Sequence, residues 1–590
     1  MLVLSDYNVD MKIKPDLTIF GRLIICLFII ASFFLTPVEA QSEKFSITIL
    51  HTNDTHGRID QITEVGSRCT PADAAENRCV GGVARRATII KEVRAEGGNM
   101  LLLDGGDQFQ GTLFYTKYKG EEASTFMNLL GYDTMAVGNH EFDDGPANLA
   151  HFIERVNFPV VSANIDATGD PDLAGHIQPY TILEVGGEKI GIVGYTTEET
   201  AILSSPGANV RFLNIERTVQ AAVDELQAKG IKIIIAVSHA GYDRDQQVGE
   251  SIDGIDIIVG GHTHTLLSNT DPLAFGPYPT VVNSPDGSPV LVVTDYQWGI
   301  NLGRLNVTFD SQGRPESWSG APIHLDSSVA MDPEIQALVE EYRAPLDELQ
   351  QTVVGQTTAL LDGDRASCRF GECTMGDLVA DAILWSTASE GVQMVIINGG
   401  GFRSSIEEGD ITLGNILEVL PFSNTIATLE LTGEDIVAAL ENGVSRAHST
   451  INEGTGRFPQ VAGLRYAWSP DNLPGERILH VEVQNANGSF MPIDLGATYK
   501  IATNDFLRKG GDGYSVFVEQ ARNEYDAGAN LEDVVADYVK TFSPITPKLD
   551  GRIKVENPNA NPVFSTTILA FSILFAGAGV GLLVKWKTEK

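Results

Sequence analysis

Polar side chains that can bind metal ions cluster where apolar, β-favouring runs of this sequence end. Most of the five clusters directly follow one of the apolar runs 45–50, 100–103, 231–237 and 255–259. Open α/β sheets place their sites beyond the carboxyl ends of neighbouring strands, so we expect the clusters to meet at one sheet edge. The candidate ligands are Asp54, His56, Asp107, Asn139, His239, His262 and His264.

The types of side chain indicate two metal ions bound through oxygen and imidazole groups. Such donors suit Zn, Mn or similar divalent ions better than a thiolate site would. A single Asp-x-His pair is more often a solvated turn or a capping residue. Several glycine-rich clusters, most of them just after a strand pattern, favour the metal interpretation.

The length and charge of the chain limit its domain count and its partners. A chain of 590 residues is too long for one hydrophobic core and predicts two or more domains. Its formal net charge of −37 argues against binding to a nucleic acid polymer, because phosphate backbones need basic surfaces. A small anionic substrate would instead require local arginines or metal ions.

The hydrophobic pattern predicts a two-domain α/β protein. Over residues 45–325, strand patterns alternate with helical patterns, which favours a largely parallel or mixed sheet covered by helices on both faces. The clearest helical patterns are 82–96, 120–130 and 216–229. Residues 330–351 are interpreted as a connector helix, with a core helix of either domain as the alternative. A second α/β domain is predicted over 353–555.

Glycine-rich stretches in the second half place arginine beside phenylalanine. They are 398–404 and 504–513; the stretch 368–373 has the same types of side chain, and 420–423 adds a further phenylalanine. Glycine lets the backbone approach a ligand closely, so this composition suits a pocket for a planar, anionic ligand. For 398–403 alone, a tight turn is the alternative.

The cysteines predict two disulfides in an exported chain. Cys26 lies in an N-terminal apolar run, and the other four of the five cysteines form the close pairs Cys69/Cys79 and Cys368/Cys373. An even number of cysteines in an exported chain favours disulfides. A metal site or free thiols is the alternative, although no C-x2-C pair is present. The first pair encloses a polar loop with little helical pattern.

Both ends of the sequence carry signals for export and membrane attachment. Residues 1–40 are typical of a signal peptide, and a retained anchor is the alternative. The spacer 556–563 leads to an uncharged run over 564–584 that is long enough to span a bilayer. The basic tail 585–590 predicts a cytoplasmic end, so we expect the other domains on the outside of the cell. A lipid-anchor signal is the alternative to the spanning helix.

The combined motifs resemble a known enzyme family. The N-terminal clusters resemble the calcineurin-like metallophosphoesterase superfamily, and the stretches 368–376, 398–403 and 504–513 resemble the 5′-nucleotidase family. The likeness covers nearly everything between Ile47 and Lys554. It implies an N-terminal metallophosphoesterase α/β sandwich, a connector helix and a C-terminal α/β nucleotide-binding domain.

The resemblance also implies roles for individual residues. His140 and Asp143 match the catalytic dyad of the family, while His264 stands where some relatives have Gln. The implied ligands are Asp54, His56 and His264 for one metal ion, Asn139, His239 and His262 for the other, and Asp107 as a bridge. The implied nucleotide-binding residues are Arg369, Asn398, Arg403, Phe422, Phe506 and Asp512.

These features predict an extracellular, membrane-tethered 5′-nucleotidase that hydrolyses nucleoside 5′-monophosphates. Two close cations can make a nucleophile from water and neutralise the charge of phosphate oxygens. His140 can donate a proton to the oxygen of the leaving group or stabilise its charge. The alternatives are a 2′,3′-cyclic phosphodiesterase/3′-nucleotidase or a UDP-sugar hydrolase of the same architecture. A non-catalytic surface binding protein is a third hypothesis, which the complete ligand set and the His140–Asp143 pair disfavour. A homodimer is also among the expectations.

Overall fold

The fold consists of two α/β halves, each built around mixed sheets. This computed structural model describes residues 44–556, except 65, 67, 348–350, 423, 448–454, 486 and 526–527. The first half contains two six-stranded sheets, and the second half contains a five-stranded and a four-stranded sheet, with two-stranded ribbons in addition. The two-domain α/β fold predicted from the sequence is therefore confirmed.

The first sheet brings several ligand clusters to one edge. Its central strands run parallel, so that Thr52 pairs with Asp104 and Asp104 in turn pairs with Met135. An antiparallel strand completes the pairing on the other side of the central strand, which makes the sheet mixed. In spatial order the strands are Pro315–His324, Asn301–Phe309, Phe45–Thr52, Met100–Asp104, Thr134–Ala136 and Val160–Val161.

The second sheet packs against the first and shares its core. Side chains alternate between the two faces of a strand, so Ile47 and Ile49 join the buried cluster of the second sheet, whereas Leu50 joins the cluster under the helices. The strands of the second sheet are Thr280–Asn283, Pro289–Val293, Ile257–Val259, Ile233–His239, Glu188–Thr196 and Tyr180–Val185.

Helices cover the outer faces of the first half, and three of them lie where the sequence pattern predicts them. Apolar residues at helical spacing, such as Val83, Ala87 and Ile90, are buried. The longer helices there are Val83–Glu96, Glu121–Leu130, Gly145–Arg155, Ile215–Ala228 and Tyr242–Ser251.

One local prediction was wrong. The polar loop between Cys69 and Cys79 contains the short helix Pro71–Ala75. A capping box explains it, because Thr70 and Asp73 satisfy each other's backbone N–H groups and Pro71 begins the helix.

The second half repeats the α/β plan with a five-stranded sheet at its centre. The strands of that sheet are Pro459–Ala462, Met394–Asn398, Thr498–Asn504, Ile426–Thr432 and Arg522–Tyr525, and its main helices are Thr374–Thr387, Gly433–Val444 and Leu531–Phe542. The four-stranded sheet consists of Phe490–Pro492, Ile478–Gln484, Leu464–Trp468 and Ile553–Val555. Two stretches that the sequence singled out, 398–404 and 504–513, follow neighbouring parallel strands.

The helix Pro333–Arg343 lies between the two halves in sequence and packs on the first. Its buried residues Ile335 and Val339 belong to the core of the first half, and Lys91 pairs with Asp332 at its N-terminus. The role of 330–351 as a connector remains a prediction.

The predicted end segments lie outside the described residues. These are the signal segment 1–40, nearly all of the spacer 556–563, the spanning helix 564–584 and the tail 585–590. Within the described part of the chain, every helix is too short or too polar to cross a membrane.

Candidate active site

All seven candidate ligands come together beyond the carboxyl ends of the strands. Each is on, or a few residues after, a strand of the first or second sheet. Their ligating atoms form two groups, within each of which the atoms lie no more than 4.8 Å apart. The groups are Asp54, His56 and His264, and Asp107, His239 and His262.

The loops that carry these ligands hold an unusual backbone conformation. Five of the seven have positive φ angles, which non-glycine residues adopt infrequently and at some cost in energy. The surrounding structure must supply that energy, as is common at functional sites. The five are Asp54 (50°), His56 (50°), Asp107 (59°), His262 (77°) and His264 (53°).

Three ligand histidines point the same ring nitrogen into the site. Each places Nδ1 on an oxygen that can only accept: His56 on Phe109 O at 3.0 Å, and His239 on Gly105 O at 2.7 Å. His264 does the same with Oε1 of Gln297 at 2.5 Å. Nδ1 therefore carries the proton in the neutral ring, which puts the lone pair on Nε2, the nitrogen that a metal ion would bind.

The carboxylate of Asp54 also presents a free acceptor. Its Oδ2 accepts hydrogen bonds from Asn53 Nδ2 at 2.8 Å and from the backbone N–H of His262 at 2.9 Å. Its Oδ1 is buried without a hydrogen-bond partner among the described residues and lies 3.2 Å from His264 Nε2. That nitrogen is 3.1 Å from His56 Nε2. Lone pairs from three residues thus converge, which fits a divalent cation.

Asp107 lies between the two groups. Its Oδ2 is 3.0 Å from His239 Nε2 and 3.8 Å from His56 Nε2, so one oxygen faces a histidine of each group. Asn139 joins the second group, with Oδ1 2.9 Å from His262 Nδ1 and 3.2 Å from His239 Nε2. The residues present therefore fit two adjacent metal ions.

Burial and charge set the protonation of these groups. Burial lowers the pKa of His262 to about 3 and that of His264 to about 4, so both rings are neutral at physiological pH. Burial acts in the same direction on His239, but the carboxylates of Asp107, Asp54 and Glu141 together outweigh it and raise the pKa of His239 to about 10. The field that attracts a proton to His239 equally attracts a metal cation, which would replace that proton.

Glu141 shapes the Asp107 loop, although the sequence analysis passed over it. Its buried carboxylate accepts hydrogen bonds from the backbone N–H groups of Gly138 (2.6 Å), Asp107 (3.0 Å), Gln108 (2.8 Å) and Phe109 (3.2 Å). Burial, followed by the nearby Asp107 carboxylate, raises the pKa of Glu141 to about 8. The available signal was an acidic residue between His140 and Phe142, in the middle of a ligand cluster.

His140 and Asp143 form the pair that the resemblance implies. His140 Nδ1 lies 2.6 Å from Asp143 Oδ2, and the backbone N–H of His140 donates to Asp107 Oδ1 at 2.9 Å. The other carboxylate oxygen of Asp143 accepts a hydrogen bond from Ser204 Oγ at 2.5 Å. The pair therefore adjoins the metal groups, and its carboxylate is held on both sides.

The second half contributes one wall of the same cleft. This cleft has a volume of about 150 Å³ and is lined by Asp107, Asn139, His140, His262 and His264 of the first half. All six predicted nucleotide-binding residues line its other side: Arg369, Asn398, Arg403, Phe422, Phe506 and Asp512. Arg365 also lines the cleft, and the sequence analysis did not single it out.

Arginines from both halves meet around the first metal group. Arg403 Nη2 lies 3.0 Å from His56 Nε2, and Arg58 Nη2 donates to the carbonyl oxygen of Arg403 at 2.9 Å. Burial, and then the charges of Arg365 and Arg403, lower the pKa of Arg369 well below its ordinary value. Crowded guanidinium groups in a closed space favour a bound anion such as a phosphate.

Comparisons with known proteins agree with this geometry. Residues 47–266 match the calcineurin-like phosphoesterase family, and residues 353–519 match the 5′-nucleotidase C-terminal domain. A 5′-nucleotidase of Bos taurus is 40% identical over 87% of this chain and 91% of its own length. The chain belongs to the 5′-nucleotidase family.

Other members of the 5′-nucleotidase family show the same extent of similarity. A snake venom 5′-nucleotidase of Crotalus adamanteus is 38% identical over 89% of this chain and 92% of its own. The crystal structure of a 5′-nucleotidase precursor from Thermus thermophilus superposes with a TM-score of 0.82 at 42% identity, covering 87% of this chain and 100% of that one. The chain is thus a metal-dependent hydrolase, as predicted, while the roles of individual residues stay predictions.

The two predicted disulfides of this 5′-nucleotidase family member are present. One joins Cys69 to Cys79, and the other joins Cys368 to Cys373. The second closes the loop that carries Arg369. The buried side chain of Gln460 also stabilises that loop, because its Nε2 donates to Cys368 O at 2.9 Å and to Gly371 O at 2.6 Å.

Proposed function

We propose that this protein hydrolyses nucleoside 5′-monophosphates to nucleoside and phosphate at the cell surface. One observation supports this most: two metal-binding groups, the His140–Asp143 pair and the basic and aromatic residues of the second half all line one cleft. One wall of the cleft therefore has groups suited to hydrolysis of a phosphate ester, and the other wall has groups suited to binding a planar, anionic ligand.

The metal ligands divide as the family resemblance implies. Asp54, His56 and His264 would hold one divalent ion, and Asn139, His239 and His262 the other, with Asp107 shared. When bound, the two ions supply a nucleophile from water at neutral pH and neutralise charge on the phosphate oxygens. Gln297, Gly105 and Phe109 orient the histidine ligands through their oxygens.

His140 is the candidate proton donor to the leaving group. Hydrolysis breaks the bond between phosphorus and O5′, and the oxygen that leaves needs a proton or charge stabilisation. Because Nδ1 of His140 faces Asp143, its Nε2 is the nitrogen available to the substrate. Asp143 orients the ring and stabilises its charged form.

The second half would bind the rest of the nucleotide. Arg369 and Arg403 offer forked N–H donors to phosphate oxygens. Asp512, held by a 2.7 Å hydrogen bond from Asn398 Nδ2, is an acceptor suited to ribose hydroxyl groups. Phe422 and Phe506 can stack on the base, a contact that any purine or pyrimidine can make.

A substrate panel tests this proposal. We expect faster metal-dependent hydrolysis of 5′-AMP than of 3′-AMP, 2′,3′-cyclic AMP or UDP-glucose. Preference for the cyclic or 3′-substrate, or for the nucleotide sugar, would assign the alternative activity of the same architecture. Binding of 5′-AMP without turnover of any substrate would support the non-catalytic hypothesis instead.

We also propose that the chain is tethered to the outer face of a membrane through residues 564–584. The charge-free length of that run and the basic residues after it support this proposal, together with the export signal at 1–40. A homodimer stays a prediction, and the mass of the solubilised protein in light scattering would test it.

A further inference from the structure

Residues 197–205, here called the strap, follow the strand Glu188–Thr196 and cross from the metal site to the second half. The strap contains the one-turn helix Thr200–Leu203. At its start, the backbone N–H of Thr197 donates to the carbonyl oxygen of His239 at 2.9 Å. One end of the strap is therefore fixed to a candidate metal ligand.

The middle of the strap touches the second half. Glu199 forms an ion pair with Arg446, which lies 247 residues later in the sequence. The short helix also packs against the turn Gly511–Gly513, which contains Asp512. The strap therefore contacts the element that bears a predicted nucleotide-binding residue.

The end of the strap reaches the catalytic pair. Leu203, Ser204 and Ser205 line the cleft, and Ser204 Oγ donates to Asp143 Oδ1 at 2.5 Å. Because His140 contacts the other oxygen of the carboxylate, Ser204 supplies a second hydrogen bond that restrains rotation of that carboxylate about its Cβ–Cγ bond.

We propose that Ser204 is a positioning residue for the His140–Asp143 pair, and that the Glu199–Arg446 contact makes this positioning depend on the second half being in place. The inference rests on the proposed function and adds a coupling to it. A nucleotide that draws the two halves together would thereby complete the orientation of His140 in the same step.

The Glu199–Arg446 ion pair is expected to contribute little to the stability of the fold. The side chains of Arg446 and Glu199 are 42% and 26% exposed, and surface ion pairs of this kind contribute about 0–1 kcal/mol. A second pair, Arg465–Glu482, has nearly the same exposure at 40% and 26% but lies wholly within the second half. It is a matched control.

Comparing kcat for two substrates distinguishes a role of Ser204 in positioning His140 from a general disturbance of the active site. The leaving oxygen of 5′-AMP requires a proton, whereas nitrophenolate leaves p-nitrophenyl phosphate as a stable anion. We expect Ser204→Ala to lower kcat for 5′-AMP about tenfold, part of the roughly 10²–10⁴-fold that general acid catalysis supplies, and to leave kcat for p-nitrophenyl phosphate nearly unchanged. Ser204→Thr, which keeps the hydroxyl group, should retain most of the activity if Ser204→Ala folds poorly.

The coupling is tested by combining variants. Arg446→Gln should lower kcat for 5′-AMP, Arg465→Gln should not, and Arg446→Gln should cause little further loss in the Ser204→Ala background. Equal losses on both substrates, or independent effects of the two changes, would overturn the inference. If the parent protein fails to hydrolyse 5′-AMP, the proposed function is wrong; if it succeeds and the variants match it, only the strap inference is wrong.

Discussion

At the scale of single residues, a few candidate metal ligands combine a positive φ angle with side-chain atoms that can bind a cation. Asp107 is central, since one oxygen faces both metal groups and the other accepts the backbone N–H of His140. We therefore expect an exchange at this position to disturb both candidate metal groups and the His140–Asp143 pair together, whereas His264 belongs to one group alone.

Removal of metal should abolish activity, and loss of Asp107 should be more damaging than loss of an outer ligand. We expect chelation to stop hydrolysis of 5′-AMP and added Mn, Zn or Co to restore it. Asp107→Asn should lower kcat/KM more than His264→Gln, because a shared oxygen ligand orients both ions. The measurement is activity with bound metal counted by mass spectrometry. Full activity with no bound metal would contradict the two-metal interpretation.

Variants at the two walls of the cleft should differ in their kinetics. Phe422→Ala and Phe506→Ala should chiefly raise KM for 5′-AMP, since base stacking contributes about 1–3 kcal/mol per base, and should hardly affect p-nitrophenyl phosphate. His140→Ala should lower kcat for 5′-AMP with a smaller change in KM, because charge on the leaving oxygen develops in the transition state. Unchanged parameters in both phenylalanine variants would show that the base does not stack there.

At the scale of elements, short loops after strands carry the chemistry, and local devices shape each loop. The disulfide loop 368–373 depends on Gln460 and a covalent bond, and the Asp107 loop depends on Glu141. Glu372 in the disulfide loop also accepts from the backbone N–H of Ile553 at 3.1 Å, which links this loop to the strand Ile553–Val555.

Loss of the Cys368–Cys373 disulfide should affect substrate binding more than stability. A loop this short removes little entropy from the unfolded chain, while Arg369 lies inside it and lines the cleft. We expect Cys368→Ser to raise KM for 5′-AMP severalfold with a small shift in Tm. Cys69→Ser is the control, because that disulfide lies away from the cleft lining. A large drop in Tm with an unchanged KM would contradict the prediction, as would free thiols at both positions in the exported protein.

At the scale of the whole molecule, one site is assembled from two halves that are far apart in sequence. Arg58 and Arg403 join them behind the first metal group, and Glu199 with Arg446 joins them across the strap. Both contacts lie between the two halves, beside the cleft that they share.

Truncation after Glu556 should release an active enzyme. The last strand, Ile553–Val555, ends just before this point, so both sheets of the second half are complete. We expect the truncated protein to appear in the soluble fraction with the kcat and KM of the detergent-solubilised full chain. A truncated protein that stays in the membrane would indicate a retained N-terminal anchor, and an inactive one would show that the tail contributes to the fold.

The sequence by itself determined the features that depend on local pattern and spacing. Apolar runs of strand and helix length predicted the α/β fold and the three clearest helices. The candidate ligands after those runs were expected to meet because parallel strands end at one edge. The close cysteine pairs Cys69/Cys79 and Cys368/Cys373 were likewise predicted. The members of each pair are close in sequence, so each cysteine has an obvious partner for a disulfide.

Only the tertiary structure decided how distant segments meet. The placement of Arg403 beside His56, of Gln297 behind His264 and of Ser204 on Asp143 joins residues between 33 and 347 positions apart. Each contact depends on packing angles and side-chain rotamers, which leave no periodic trace in a sequence. The burial of Glu141 and Asp54 was also decided by the tertiary structure, because distant segments of the folded chain exclude water from these carboxylates.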